Sequence, residues 1–318
     1  MASILAAAPF PISRRFPAQL FFWSLMLATA VPLLWLGFGV QLMHENLSGL
    51  KEKLLPLMAI TSFGHVGATG FFYFDREMIG LIKQNRGRFL IYPLAAAVSC
   101  LVIYHVSVPI WSVVSSGFLA WLLYHYQRQN YGLIAFAAQN CGAGKLPAEI
   151  MWMLNLSVAG AVLRLYSPST MVFALSALLF GASTVLLVAI LCGPIGRGGK
   201  WNLLIFVTLG WMFFLPSLVS TDHLIGFWSY AMAHGAQYLI FMIVLGANTR
   251  RGIVDLGLLL LAFCAAFILF WKLNSFDTGL AFYRGLVMGH FLIDAKVWRL
   301  REPLQRHIIG ERFSFIFP

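Results

Sequence analysis

Stretches of about 20 apolar residues recur along the chain, separated by short polar connections, and each is long enough to cross a hydrocarbon core about 30 Å thick as a helix. The runs fall at about 20–43, 54–74, 89–107, 110–136, 149–167, 170–192, 201–220, 224–246, 253–271 and 279–298. Their pattern predicts an all-α polytopic integral membrane protein of about ten transmembrane helices, forming one domain over residues 1–318. Arg14 and Arg15 precede the first run, and Ala28-Thr29-Ala30 has the look of a signal-peptidase site. Apolar character continues past it to Met43, which favours an uncleaved first helix. Gly and Pro cluster at turns such as Cys192-Gly193-Pro194-Ile195-Gly196, and no repeat or low-complexity segment marks a second domain.

The polar residues set the orientation. If the N-terminus is cytoplasmic, the inner side receives Arg14, Arg15, Arg76, Lys83, Arg86, Arg88, Arg128, Lys145, Arg197, Lys200, Arg250, Arg251, Lys296, Arg299, Arg301, Arg306 and Arg312. The other positions hold Lys51, Lys53, Arg164, Lys272 and Arg284, a split of 17 against 5 of the 22 basic residues. Both termini are therefore expected in the cytoplasm, and a bacterial inner membrane is the expected location. Composition agrees: 60% of residues are hydrophobic, 10% are charged, and the mean hydropathy is +0.82. A net charge of +11 would suggest nucleic acid in a soluble chain, but here the charges lie mostly between apolar runs, so no nucleic-acid role follows. Cys100, Cys141, Cys192 and Cys264 are scattered without a CxxC pair and read as small apolar fillers.

Against this background four histidines stand out. With the expected topology the second, fourth, eighth and tenth helices all run inward, and His65, His125, His234 and His290 lie roughly 10 to 15 residues into them. At about 1.5 Å per residue that places all four about 15 to 22 Å below the outer boundary, in one slab. Each has polar company at helical spacing: Ser62 and Thr69 near His65, Arg128 and Gln129 near His125, Tyr230, Gln237 and Tyr238 near His234, and Asp294 near His290. A lone membrane histidine often only bridges helices, but a set of four at one depth is costly to bury and marks function. His65, His125, His234 and His290 are the candidate metal ligands, with His105 in reserve; His44 and His223 fall at outer helix ends and His307 in the basic tail. Asp294, Tyr238 and Arg128 are the candidate catalytic groups. Lys296, at i+2 from Asp294, points to another face, so Asp294 is expected to serve the site as a ligand or as the partner of a ligating imidazole.

Neutral imidazoles with open positions suit Fe(II), while zinc, copper and haem remain compatible with the ligand type. Asp294 alone among the carboxylates lies in the layer, with Asp75 and Glu77 near an inner helix end, so a mononuclear centre is expected rather than a di-iron cage. The HxxxH and HxxHH boxes of membrane desaturases and alkane hydroxylases are absent, as are HExxH and GxSxG.

Gly64-His65, Tyr124-His125-Tyr126 and the later membrane histidine His234 resemble the Brp/Blh family, bacteriorhodopsin-related membrane proteins that include β-carotene 15,15'-dioxygenases. The resemblance covers scattered motifs. It implies an all-helical membrane protein that holds iron with histidines from several helices and cleaves a carotenoid with dioxygen. A His-Gly-Ala-Leu-Asp type of motif is missing, and Tyr238 stands where the second histidine of an HxxxH pair is expected, departures that count against β-carotene itself and leave open a related chemistry on another lipid-soluble substrate. The leading expectation is an iron oxygenase whose apolar substrate enters from the bilayer, with 28 Phe, 10 Trp and 10 Tyr available to line a path. A haem-binding or electron-transfer protein and a proton-coupled transporter are the alternatives; against the transporter, the sequence shows no pair of broken helices.

Overall fold

The computed structural model describes residues 18–43, 57, 59–219, 223–249, 251–272 and 276–317. Arg14, Arg15, His44, Lys51, Lys53 and Arg250 lie outside the described residues, as do the side chains of His223 and Lys272. The described chain is helical throughout and contains no strand, the fold of an all-α polytopic membrane protein.

In chain order, α1 (Ala18–Met43) runs unbroken through Ala28-Thr29-Ala30. The second apolar run is not a regular helix. It opens as a wide π-turn (Ala59–Gly64), passes through one α-turn, α2 (His65–Ala68), and tightens into a 3-10 turn (Thr69–Tyr73). A short amphipathic helix follows, α3 (Arg76–Gln84), which buries Met78, Leu81 and Ile82. Then come α4 (Tyr92–Val106), entered through a π-turn at Gly87–Ile91, α5 (Val108–Asn140), α6 (Ala148–Tyr166) and α7 (Thr170–Cys192). The seventh run divides into α8 (Trp201–Met212) and α9 (Leu215–Val219) around Phe213 and Phe214. The last elements are α10 (His223–Ala247), α11 (Gly252–Lys272), α12 (Phe276–Val297) and α13 (Pro303–Arg312).

Eight of these segments are long and apolar enough to cross a membrane. The two expected spans outside that set are the broken 59–73 segment and α12, which at 22 residues has the length but carries Asp277, Arg284, Asp294 and Lys296. These two carry His65 and His290, so the departure from plain hydrophobicity coincides with the histidine layer. The expectation of unbroken helices is corrected at two places, 59–73 and 201–219.

α10 is the most enclosed of the apolar helices and packs along α1 and the π-turn at 59–64. α4 lies against α12, and α6 against α7. On the outer helices, apolar residues at helical spacing point away from the protein, among them Leu94, Val98 and Val102 on α4 and Val254, Leu258 and Leu261 on α11, the surface expected to meet lipid. Inside, buried apolar side chains form two clusters. One contains Phe72, Met78, Ile134, Phe241, Val297 and Phe313; the other contains Phe118, Leu122, Tyr126, Phe213, Tyr230 and Phe291. On α10 the passage from one cluster to the other falls at His234, between Ala233 and Tyr238, while His65, His125 and His290 each stand next to a member of the second cluster, Val66, Tyr126 and Phe291.

The end of the molecule that carries α3 is fastened to α13 by charge. Asp75 caps α3 by accepting from the Glu77 N–H at 3.0 Å. Buried Arg312 grips both Asp75 oxygens, with Nη2 at 3.0 Å from Oδ1, and also reaches Glu77 Oε2 at 2.6 Å. A bidentate guanidinium offsets the desolvation of the carboxylate far better than a single contact would.

Candidate metal centre

Close helix approach brings the histidines together. A Cβ placed on Gly235 would lie 1.7 Å from the Thr61 carbonyl oxygen, so only glycine lets α10 touch the backbone of the π-turn that precedes His65. On the other side, a Cβ on Gly289 would meet Pro93 Cβ at 2.6 Å, which seats the His290 turn of α12 directly on α4. The result is a compact group of imidazoles. Ring centroids are 4.8 Å apart for His65–His234, 5.1 Å for His65–His290, 4.9 Å for His125–His234, 5.4 Å for His125–His290 and 6.1 Å for His234–His290. His65, His234 and His290 are buried and His125 is nearly so.

Two overlapping sets of donors result: His65, His234 and His290, and His125, His290 and Asp294, each with one ligand atom per residue and all such atoms within 4.8 Å of one another. Three donors about 2.1 Å from one ion stand about 3.0 to 3.6 Å from one another, so either set closes on an ion with shifts of about 1 Å or less.

The hydrogen bonds decide which nitrogens are free. His65 Nδ1 lies 2.5 Å from the Thr61 carbonyl, an atom that only accepts, so Nδ1 carries the proton and Nε2 keeps its lone pair. For His290 the logic runs through three residues. The Asp294 carboxylate accepts from the Tyr238 hydroxyl at 3.1 Å; the Tyr238 oxygen then accepts from Thr69 at 2.9 Å; and Thr69 is left to accept from His290 Nδ1 at 2.7 Å. With Asp294 ionised, this chain has one consistent direction and leaves His290 Nε2 unprotonated, 3.5 Å from Asp294 Oδ2. His125 Nε2, His290 Nε2 and both ring nitrogens of His234 are buried without a hydrogen-bond partner among the described residues. Buried imidazole nitrogens without partners are costly as they stand, and an ion bound between them would remove that cost.

Most of the sequence-derived candidates therefore meet. His65, His125, His234, His290, Asp294 and Tyr238 form one group, with His125 Nε2 3.9 Å from Asp294 Oδ2. Arg128 does not join it: the side chain is exposed, contacts Met151 Sδ at 3.0 Å and lies over Tyr131. Three residues beyond His125 it lies about 60° round α5, enough to turn it toward Met151 and the outside rather than toward the imidazoles. His105 is likewise exposed and packs on Tyr104, outside the group. Lys296 pairs with Glu302 at 2.5 Å and leaves Asp294 alone, as the helical spacing predicts.

Some polar neighbours have other duties. Thr69, expected to serve His65, bonds His290 instead, because the chain tightens into the 3-10 turn at Thr69. Tyr230 bonds Ser217 and the Phe214 carbonyl at the break between α8 and α9. Gln129 donates to the His234 carbonyl at 3.1 Å and to Gln237, which in turn donates to Thr29 and Asn130, a polar tie of α1, α5 and α10 one layer from the imidazoles. The aromatic walls were not anticipated. Phe291 stacks on His125 at 4.1 Å, and Tyr126 lies 4.4 Å from His234. Comparison with protein-family models, with curated proteins and with solved structures gives no match.

Proposed function

We propose that this integral membrane protein is a mononuclear iron oxygenase that acts on an apolar lipid or isoprenoid substrate, carotenoid-like in character. The observation that carries this reading is the convergence of four imidazoles and one carboxylate, with three of the histidines offering nitrogens that no partner among the described residues satisfies. The set His125, His290 and Asp294 has the two-histidine, one-carboxylate composition of non-haem Fe(II) oxygenases. His290 contributes to both donor sets with a single free nitrogen, since Nδ1 is engaged by Thr69, so the two sets describe places for one ion rather than two. Iron bound there would supply dioxygen chemistry. The protein's own part is to hold the ligands in one tautomer, exclude water with the Tyr126 and Phe291 walls, and keep Asp294 and Tyr238 within reach of a proton. A bacterial inner membrane with both termini cytoplasmic is the setting this reading adopts.

Haem binding is less well supported, because imidazole rings 4.8 to 6.1 Å apart on all sides leave no slot among them for a macrocycle. The broken segment at 59–73 beside a histidine and aspartate layer favours proton-coupled transport as a second reading. Transport would move a substrate without changing it.

The test is elemental analysis of protein purified without chelators. About one iron per chain is expected, lost in His290→Ala and retained in His307→Ala, whose ring is exposed beside Glu311. Fully active protein free of metal would overturn the proposal.

A further inference from the structure

We propose that the cleft between α11 and α12 is a side entrance that admits one hydrocarbon chain of a headgroup-free, lipid-soluble molecule toward the histidines. The assignment rests on the reading of the cluster as a centre for apolar chemistry and adds to it the route and the shape of the substrate.

The cleft has a volume of about 250 Å3 and is half open to the surface. That is below the roughly 300–1,000 Å3 of pockets that enclose drug-sized ligands, so a slender chain suits it better than a folded or bulky group. Its walls are apolar, and Tyr283 is the one polar side chain among the described residues that line it. That hydroxyl is spoken for, donating to the Ser62 carbonyl at 2.5 Å. With no free donor and no charged side chain in the lining, a phosphate or carboxylate headgroup drawn inside would lose its hydration without replacement. A phospholipid, tethered at the interface by its head, is thereby at a disadvantage against a molecule that is hydrocarbon at its leading end and free to move in along its length.

The mouth faces the surface expected to meet lipid. Ala262 and Ala266, one helical turn apart on α11, are both exposed and leave the opening clear, while Leu258, Leu261 and Leu269 of the same helix point outward. At the inner end, Phe63 packs on Phe267 at 3.9 Å and on Tyr283 at 4.1 Å, two residues before His65. Tyr283, Phe263 and Leu286 rest in turn on the buried cluster that holds Val66 together with Tyr126 and Phe291, the two rings that wall the imidazoles. Aromatic side chains of the cleft and of that cluster thus lie between the opening and the histidines, and rotation of these rings is the movement the entrance requires.

The experiment uses the full-length protein in vesicles with two photoactivatable probes, a diazirine-bearing linear hydrocarbon and a phosphatidylcholine with the same diazirine in its acyl chain. After irradiation, labelled residues are mapped by mass spectrometry. The hydrocarbon probe should label Phe63, Phe263 and Tyr283 above the outward-facing Leu258 and Leu261, and the phospholipid probe should not. The double substitution Ala262→Phe and Ala266→Phe places bulk at lipid-facing positions that do not build the core, and it should remove the enrichment while iron per chain stays at the wild-type value. Uniform labelling, enrichment by the phospholipid alone, or enrichment that survives the double substitution would overturn the assignment. Iron content is read on the same samples, so loss of the metal reading and loss of the entrance are separate results.

Discussion

Thr69→Val tests the hydrogen-bond chain that aims His290. Valine keeps the branched shape of threonine and fits the same helical turn, so the change is close to the removal of one oxygen atom. That oxygen lies 2.7 Å from His290 Nδ1 and 2.9 Å from the Tyr238 hydroxyl. Without it the Nδ1 proton has no acceptor, and the simplest relief moves the proton to Nε2, where Asp294 Oδ2 waits at 3.5 Å. The ligand lone pair is then lost. Removing such a partner typically lowers metal affinity by about 10 to 100-fold, equivalent to about 1.4 to 2.7 kcal/mol. Hydrogen bonds between membrane helices average only about 0.6 kcal/mol in stability, so the thermal midpoint should move little while affinity falls by one to two orders of magnitude. Competition titration against a graded series of chelators measures the affinity, and a thermal melt monitored by circular dichroism controls for folding. Thr69→Ser keeps the hydroxyl and should bind as wild type. Wild-type affinity in Thr69→Val would refute the claim that this chain fixes the His290 tautomer.

Asp294→Asn keeps the size but removes the charge that orients Tyr238 and Thr69; iron affinity should fall by about 10 to 100-fold with a residual site, and unchanged iron content and turnover would make Asp294 structural. Gly235→Ala sets a methyl 1.7 Å from the Thr61 carbonyl and should separate His65 from His234, reducing iron per folded chain, whereas Gly132→Ala on α5, where the new methyl meets no described residue beyond its own helical turn within 4 Å, should bind normally. Arg312→Leu leaves buried Asp75 without its partner and should cost about 3 to 5 kcal/mol of stability, read as a lower thermal midpoint with iron per folded chain intact; an unchanged midpoint would show that the clamp to α13 contributes nothing.

The fold class was legible in the sequence because a membrane imposes one requirement, that every backbone polar group in hydrocarbon be satisfied within its own segment, and long apolar runs declare the helices that meet it. The boundaries of α4, α6, α7 and α11 follow from that alone. Depth was legible too, since rise per residue is fixed, and it put His65, His125, His234 and His290 in one layer before any packing was known. Two things were not. Rotation about a helix axis depends on which neighbour it packs against, so Arg128 could share a stretch of α5 with His125 and still face away. Departures from regular helix were hidden as well, because the π-turn at 59–64, against which α10 and α11 pack, and the 3-10 turn at 69–73, which touches α11, lie inside an apolar run that reads as a plain helix. Those turns move Thr69 from the company of His65 to that of His290 and so complete the chain to Asp294. Sequence fixes how deep a side chain lies because depth is a property of one helix, whereas the partner it meets at that depth is a property of the helices packed around it.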